Sequence, residues 1–123
     1  MIRPGQLHIG IIEDNLDLQQ NLAEYLEAHP DTLCPVQATD YESFFAQWKI
    51  HPHLNMILCD INLPGERSGI DCVRTIRRQS HEIDIIMLTV HDNEDYIFDA
   101  LYAGAKWLLA KRQFAGGSSG GHP

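Results

Sequence analysis

Five side chains that could do chemistry stand at the ends of short apolar runs in this sequence. Glu13 and Asp14 follow the first run, and Asp60 follows the third. Thr89 falls near the end of the fourth run, and Lys111 follows the last. Short apolar runs of this kind are typical of strands buried in a parallel sheet, whose carboxyl ends collect ligands. The spacing therefore predicts that these side chains meet at one edge of a sheet.

Three carboxylates at one point favour a bound metal ion. Like charges repel and raise each other's pKa, and a divalent cation relieves that repulsion. Oxygen ligands with several retained waters suit Mg²⁺ or Mn²⁺. We predict a site for Mg²⁺, with Mn²⁺ as the alternative, formed by Glu13, Asp14 and Asp60. The backbone carbonyl of Asn62 is a candidate further ligand.

A metal-bound carboxylate beside a hydroxyl and an ammonium group suits phosphoryl transfer. Asp60 would attack phosphorus in line, while Thr89 and Lys111 would neutralise oxygens of the phosphoryl group. Each residue alone has an ordinary explanation, since acids favour helix N-termini, threonine favours strands and lysine is usually a solvated charge. Their joint occurrence at successive strand ends is what predicts an aspartyl phosphate.

Alternating strands and helices must position these residues. Five strands are predicted, at residues 7–12, 33–38, 56–60, 83–90 and 107–110. Four helices separate them, and the first is predicted over about 16–28. Asp40 is expected to cap the second helix, and Ser68 and Asp71 to open the third. Asp92 or Asn93 is expected to cap the fourth helix, which Gly104 ends. This alternation predicts an α/β fold with a doubly wound parallel sheet.

The strand order follows from one proline. Pro35 lacks a backbone donor, so the second strand belongs at the sheet edge, which fits the flavodoxin-like order 2-1-3-4-5. On the third helix, Ile70, Val73 and Ile76 are expected to face the core, and the arginines Arg74, Arg77 and Arg78 are expected to face water.

Composition limits the function classes. The chain has 123 residues and a net charge of −8, so it should not bind nucleic acid directly. Its three cysteines form no C-x-x-C pair, which favours reduced thiols in a cytoplasmic protein. No apolar run is long enough to span a membrane. His51 and His53 lack companion ligands at zinc spacing.

The sequence resembles the receiver domain of bacterial two-component response regulators, of the kind that carries a LuxR/NarL-type helix-turn-helix output domain. The matching segments cover nearly the whole chain as far as Lys111 and are IIEDN at 11–15, DINLPG at 60–65, LT at 88–89, AGA at 103–105 and Lys111 itself.

The resemblance implies a role for each matching residue. Glu13 and Asp14 would form the acid pocket, Asp60 would be the phosphoacceptor, and Asn62 would offer its carbonyl to the metal. Thr89 would be the switch hydroxyl and Lys111 the phosphate-binding lysine. The implied partner is a sensor histidine kinase, with DNA reached only through an output domain. Such a domain is not an enzyme beyond catalysing its own phosphorylation and dephosphorylation.

Three departures from the family pattern accompany this resemblance. The loop after Asp60 is one residue longer than usual before Gly69, and Leu108 replaces the usual aromatic residue of the last strand. The usual fifth helix is missing or degenerate, so residues 1–114 are predicted to form the receiver domain and 115–123 a flexible Gly/Ser-rich tail. Without that helix, the uncovered sheet face predicts self-association, or else that the chain is a shortened form of a longer regulator.

Three alternative functions remain at this stage. A flavodoxin-like flavin binder would need a phosphate-cradling loop where Glu13 and Asp14 stand. A metal-dependent phosphatase with an aspartate nucleophile would usually carry a second acid at the position of Asn62. A degenerate receiver domain that binds a protein partner without phosphorylation is the third, favoured by Leu108 and the missing helix.

Overall fold

The computed structural model describes residues 5–89 and 101–111. A five-stranded sheet lies at its centre, with three helices in full and residues 101–103 helical. The strands are β1 (Leu7–Ile12), β2 (Thr32–Ala38), β3 (Met56–Asp60), β4 (Asp84–Thr89) and β5 (Trp107–Ala110). The helices are α1 (Leu16–Glu27), α2 (Tyr41–Ile50) and α3 (Gly69–Gln79).

Every strand pairing in the sheet is parallel, and the strand order is β2-β1-β3-β4-β5. This confirms the predicted fold class and places Pro35 in an edge strand. The four predicted strand ends that matter for chemistry therefore fall on one side of the sheet. The predicted caps Asp92 and Asn93 lie outside the described residues, as do the expected loss of a fifth helix and the 115–123 tail. The self-association expected from that loss stays a prediction.

Helices cover both faces of the sheet. On one face, Phe44 of α2 and Val73 and Ile76 of α3 pack against Ile57 and Ile85. On the other face, the apolar side chains of α1 pack against Ile9, Ile11, Leu58 and Leu88. Burial of these apolar side chains, which contributes about 1.5–3 kcal/mol for each one that is fully buried, holds the helices against the sheet that carries the strand ends.

Side-chain caps begin α1, α2 and α3, and those of α2 and α3 are the predicted residues. Asn15, Asp40 and Ser68 accept hydrogen bonds from backbone N–H groups of the first turns of α1, α2 and α3. Ser68 and Asp71 form the reciprocal capping box. A β-carbon at Gly69 would overlap the backbone carbonyl of Asp60. Only glycine therefore lets α3 begin directly against the end of β3.

The expectation that Arg77 faces water is wrong. Its guanidinium donates to the carbonyl oxygens of Ile83 at 2.6 Å and Gly104 at 3.0 Å. Gly104 itself has the positive φ of +120° expected after a helix. Arg77 thus joins the end of α3 to the start of β4 and to the turn before β5. The apolar periodicity of α3 could not reveal this, because long arginine stems cross from a polar face to distant carbonyls.

Replacing Arg77 with leucine should lower the free energy of unfolding by about 1–3 kcal/mol, because it leaves partly buried carbonyl oxygens without their donor. Urea denaturation followed by circular dichroism measures the change. Arg78→Leu is the matched control, since Arg78 is exposed and should change stability by less than about 0.5 kcal/mol. Equal losses in the two variants would contradict the structural role of Arg77.

Candidate functional site

Asp60 ends the central strand β3 and is almost completely buried, with 2% of its surface exposed. One carboxylate oxygen, Oδ1, accepts a hydrogen bond of 3.0 Å from the backbone N–H of Asn62. The other, Oδ2, accepts a hydrogen bond of 2.8 Å from Nζ of Lys111. The flanking strands fix this position, because β3 pairs with β1 on one side and β4 on the other.

Glu13 follows β1 and is fully buried. Its Oε2 accepts a hydrogen bond of 2.9 Å from the backbone N–H of Asn15. Its Oε1 lies 2.9 Å from Nζ of Lys111, close enough for an ion pair, but without the angles of a hydrogen bond. Lys111, which also pairs with Asp60, is the cation that compensates this buried oxygen. A bound metal ion would give Glu13 Oε1 a second positive partner.

Lys111 lies between two carboxylates. Its Nζ is 2.8 Å from Asp60 and 2.9 Å from Glu13, and its side chain is 14% exposed. Sequence reasoning predicted Lys111 at this edge but did not predict the ion pair with Glu13. No signal within the sequence marks such a pair, because it depends on how far β5 extends beside β4.

Asp14 completes the acid cluster and is exposed. Carboxylate oxygens of Glu13, Asp14 and Asp60 all lie within 4.8 Å of one another. The structure thus brings together three of the predicted metal ligands. Asn62 lies directly beyond, in the exposed loop after β3.

Thr89 ends β4, and its backbone lies beside this cluster. Leu88 is the register partner of Asp60, and Thr89 is the register partner of Ala110, which precedes Lys111. The Thr89 backbone thus lies one residue beyond the level of Asp60 in the sheet. Its strand, β4, runs between β3, which carries Asp60, and β5, which leads to Lys111. The role of its hydroxyl stays a prediction.

Burial dominates the electrostatics of the site. It raises the pKa of Asp60 to about 7, although the hydrogen bond from Lys111 acts to lower it, and the Glu13 charge raises it further. Burial likewise raises the pKa of Glu13. For Lys111, burial acts to lower the pKa, but the hydrogen bond to Asp60 and the nearby negative charges of Asp60 and Glu13 raise it above the ordinary value. In the metal-free protein, burial therefore disfavours the ionised forms of Asp60 and Glu13.

This donor set fits a hard divalent cation. It consists of carboxylate oxygens only, one of them buried without a hydrogen-bond donor, and one carboxylate is open to solvent. Mg²⁺, Mn²⁺ and Ca²⁺ prefer such ligands, whereas zinc and copper prefer sites with nitrogen or sulfur. The structure shows residues that could hold a metal ion and leaves its identity open.

One buried polar residue near the site escaped sequence reasoning. Gln19 of α1 is buried between apolar neighbours, and its side-chain amide donates to the backbone carbonyls of Glu13 and Ala38. A signal was present, because a glutamine beside Leu18 and ahead of Leu22 interrupts the apolar stripe of the helix. Periodicity alone treats such a residue as solvent-facing.

Among the residues that the structure describes, no helix combines the length and apolar character needed to cross a lipid bilayer.

The three cysteines Cys34, Cys59 and Cys72 are all buried free thiols. Burial raises the pKa of Cys34 to about 11, and the charge of Glu27 adds to the effect.

Known proteins resemble both the sequence and the fold. The transcriptional regulatory protein DegU of Brevibacillus brevis is 25% identical over 115 residues, which cover 93% of this chain and 48% of DegU. The chain spans about half the length of the curated relatives it matches. The receiver domain of the putative response regulator NarL of Mycobacterium tuberculosis has the same fold, with a TM-score of 0.79, 18% identity and 94% coverage of both chains.

A further solved structure, the Mn²⁺-bound form of the response regulator Rcp1, superposes with a TM-score of 0.72 at 22% identity, over 85% of this chain and 80% of Rcp1. The model of the response regulator receiver domain matches residues 9–115, a span that contains every acid and lysine of the cluster. With strand order, strand-end chemistry and sequence in agreement, the chain belongs to the response regulator receiver domain family, and its relatives are LuxR/NarL-type regulators.

Proposed function

We propose that this receiver domain is a phosphoacceptor and that Asp60 takes the phosphoryl group. One observation carries the proposal: a buried carboxylate at the end of the central strand is paired with Lys111 and lies within 4.8 Å of two further acids. Structural ion pairs do not need two extra acids, and those acids repel each other in the metal-free protein. The arrangement is favourable once cation and phosphoryl group are bound.

Asp60 acts as the nucleophile. Its carboxylate oxygen forms a bond to phosphorus while the bond from phosphorus to the donor atom breaks, and the leaving group keeps that electron pair. Asp60 must be ionised for this step. Burial, the main cause of its raised pKa of about 7, works against that ionisation. Lys111 stabilises the ionised form before the reaction and charge on the phosphoryl oxygens during it.

Glu13, Asp14 and Asp60 would hold the metal ion, with the backbone carbonyl of Asn62 as a further ligand. When bound, Mg²⁺ supplies positive charge that neutralises phosphoryl oxygens and favours ionised carboxylates. We assign Mg²⁺ rather than Mn²⁺ as the ordinary ion, since both accept oxygen ligands and Mg²⁺ is the usual partner of phosphoryl groups. The Mn²⁺-bound form of the related Rcp1 supports a divalent site in this fold.

Thr89 would supply a hydroxyl to the phosphoryl group from the neighbouring strand. Its backbone position one residue beyond Asp60 supports this role. Leu108 of β5 is the register partner of Met87 of β4. At the position of Leu108 the family pattern has an aromatic residue. We therefore expect a smaller rearrangement of β5 on phosphorylation than in relatives that carry the aromatic ring.

The partners follow from family membership. Receiver domains of two-component systems interact with histidine kinases, so a phosphohistidine of a sensor kinase is the proposed donor. The curated relatives are transcriptional regulators about twice as long as this chain, which supports an output domain that binds DNA. We place the protein in the cytoplasm, supported by its three free cysteines. The domain catalyses only its own phosphorylation and dephosphorylation.

The alternative of a receiver domain that works without phosphorylation is not favoured. A receiver domain that no longer takes up a phosphoryl group would be expected to have another residue in place of the phosphoacceptor, the lysine or one of the acids. Here Asp60, Lys111 and both acids are present and lie together.

The test is intact-mass measurement after incubation with acetyl phosphate and Mg²⁺. The proposed function predicts a gain of one phosphoryl group that EDTA prevents and hydroxylamine removes, as for an acyl phosphate. An unchanged mass under these conditions, with Mg²⁺ binding shown separately, would contradict it.

Replacing Asp14 with asparagine should weaken Mg²⁺ binding at least about tenfold, because loss of even an outer contact costs 10–100-fold in metal affinity and Asp14 is proposed as a direct ligand. Calorimetric titration measures the dissociation constant. The matched control is Asp17→Asn, which removes the same charge from the first turn of α1 but lies outside the acid cluster. Equal affinity in wild type and Asp14→Asn would exclude Asp14 as a ligand.

A further inference from the structure

Gln19 is a polar side chain buried in the apolar face of α1. It is 8% exposed and lies among Leu18, Leu22 and Ala23, which are also buried. A buried carboxamide is unfavourable unless hydrogen bonds replace those it made with water. The bonds made by Gln19 therefore explain why a polar side chain is tolerated there.

Both bonds point at the chain segment that carries the acids. The side-chain Nε2 of Gln19 donates to the backbone carbonyl of Glu13 at 3.1 Å and to that of Ala38 at 2.9 Å. The backbone N–H of Glu13 also donates to the Ala38 carbonyl, at 2.9 Å. One carboxamide thus ties the carboxyl end of β1 to the carboxyl end of β2.

The backbone of Glu13 is consequently fixed on both sides. Its N–H is held by Ala38 and its carbonyl by Gln19, while its side chain reaches Lys111 and the N–H of Asn15. Asp14 follows directly and has no comparable burial. The direction in which Asp14 leaves β1 is therefore set largely by how Glu13 is held.

We infer that Gln19 is a positioning residue for the metal site, an inference that rests on the proposed function. It acts through the backbone of Glu13 and touches neither the metal nor the phosphoryl group. Its role is to hold Glu13 and Asp14 where their carboxylates meet Asp60, so that binding a cation does not first have to order the β1–α1 loop. Partners of this outer kind typically contribute 10–100-fold to metal affinity.

The test is Gln19→Met, which keeps the length and burial of the side chain but removes both donated bonds. The Mg²⁺ dissociation constant should rise 10–100-fold. In phosphorylation by acetyl phosphate, the concentration of Mg²⁺ at half-maximal rate should rise, while saturating Mg²⁺ returns the rate towards that of wild type. Gln19→Asn, whose amide is too short to reach both carbonyls, should change the affinity in the same direction.

The matched control is Gln47→Met. Gln47 of α2 also makes two bonds to the backbone of β2, since it donates to the carbonyl of Gln37 and accepts from its N–H, each at 3.0 Å. Neither of these bonds is to the segment that carries the acids. This control also loses two side-chain bonds to the backbone of β2, although exposed ones, and should keep the wild-type affinity for Mg²⁺.

A metal-free measurement separates this inference from the proposed function. Amide hydrogen exchange in EDTA should speed up at Glu13 and Asn15 in Gln19→Met and not in Gln47→Met. Unchanged exchange and unchanged Mg²⁺ affinity in Gln19→Met would overturn the inference and leave the phosphoacceptor proposal standing. A third outcome is faster exchange in Gln19→Met together with no Mg²⁺ binding by wild type. It would support the positioning of Glu13 by Gln19 and overturn the proposed metal site.

Discussion

Replacing Asp60 with asparagine should abolish incorporation of the phosphoryl group, because the amide that replaces the carboxylate is not a nucleophile towards phosphorus. The substituted side chain would keep the shape of the original, but its single carbonyl oxygen could accept only one of the two hydrogen bonds that Oδ1 and Oδ2 of Asp60 accept from Asn62 and Lys111. A variant that keeps the wild-type circular dichroism spectrum would have lost the chemistry and not the fold. Intact mass after incubation with acetyl phosphate and Mg²⁺ measures the loss of incorporation.

The control for this variant is Asp84→Asn, which makes the same chemical change at the opposite end of the sheet. Asp84 begins β4 and forms an ion pair of 2.7 Å with Lys106, whose side chain is 55% exposed. Such surface pairs contribute about 0–1 kcal/mol, so Asp84→Asn should fold and be phosphorylated like wild type. A mass gain that persists in Asp60→Asn at the wild-type rate would show that another residue is the phosphoacceptor.

The fold could be predicted from the sequence because its signals are local. Pro35 marks an edge strand, Ser68 and Asp71 mark a helix start, and short apolar runs mark strands buried on both faces. Since carboxyl ends of parallel strands share one side, the topology by itself brings Asp60 and Lys111 together. Prediction of the cluster needed no knowledge of side-chain conformation.

The residues that escaped prediction are polar side chains whose partners lie far away in sequence. Arg77 reaches the carbonyl of Gly104, and Gln19 reaches that of Ala38. Periodicity assigns such residues to a face of a helix but cannot tell which distant carbonyl oxygen they satisfy. The same limit applies to the ion pair of Lys111 with Glu13, because it forms only after the strands between them are in register.

In the metal-free protein, wild type should lose stability relative to Asp60→Asn as the pH rises from about 4 to about 7. The ordinary aspartate pKa of 3.8 applies to the unfolded chain, whereas burial raises that of folded Asp60 to about 7. Between these values the folded state binds more protons than the unfolded state. The free energy of unfolding therefore falls with rising pH through this window and levels off above it.

The expected size follows from the two pKa values. At about 1.4 kcal/mol per pKa unit, the rise from 3.8 to about 7 corresponds to a loss on the order of 4 kcal/mol. Urea denaturation in EDTA at several pH values between about 4 and 8, which bracket the two pKa values, gives the free energy of unfolding of each protein. The difference between Asp60→Asn and wild type reports the titration of Asp60 together with its effect on Glu13 and Lys111, because the groups outside this cluster are common to both.

Adding Mg²⁺ should offset part of the loss above about pH 7. A cation that binds only the folded, ionised site stabilises it by about 2.7 kcal/mol when its free concentration is about 100 times the dissociation constant. Asp60→Asn, with one proposed ligand weakened, should gain less. Parallel stability curves for the two proteins in EDTA would show that Asp60 is ionised at its ordinary pKa. In that case Lys111, 2.8 Å from its carboxylate, would outweigh the cost of burial.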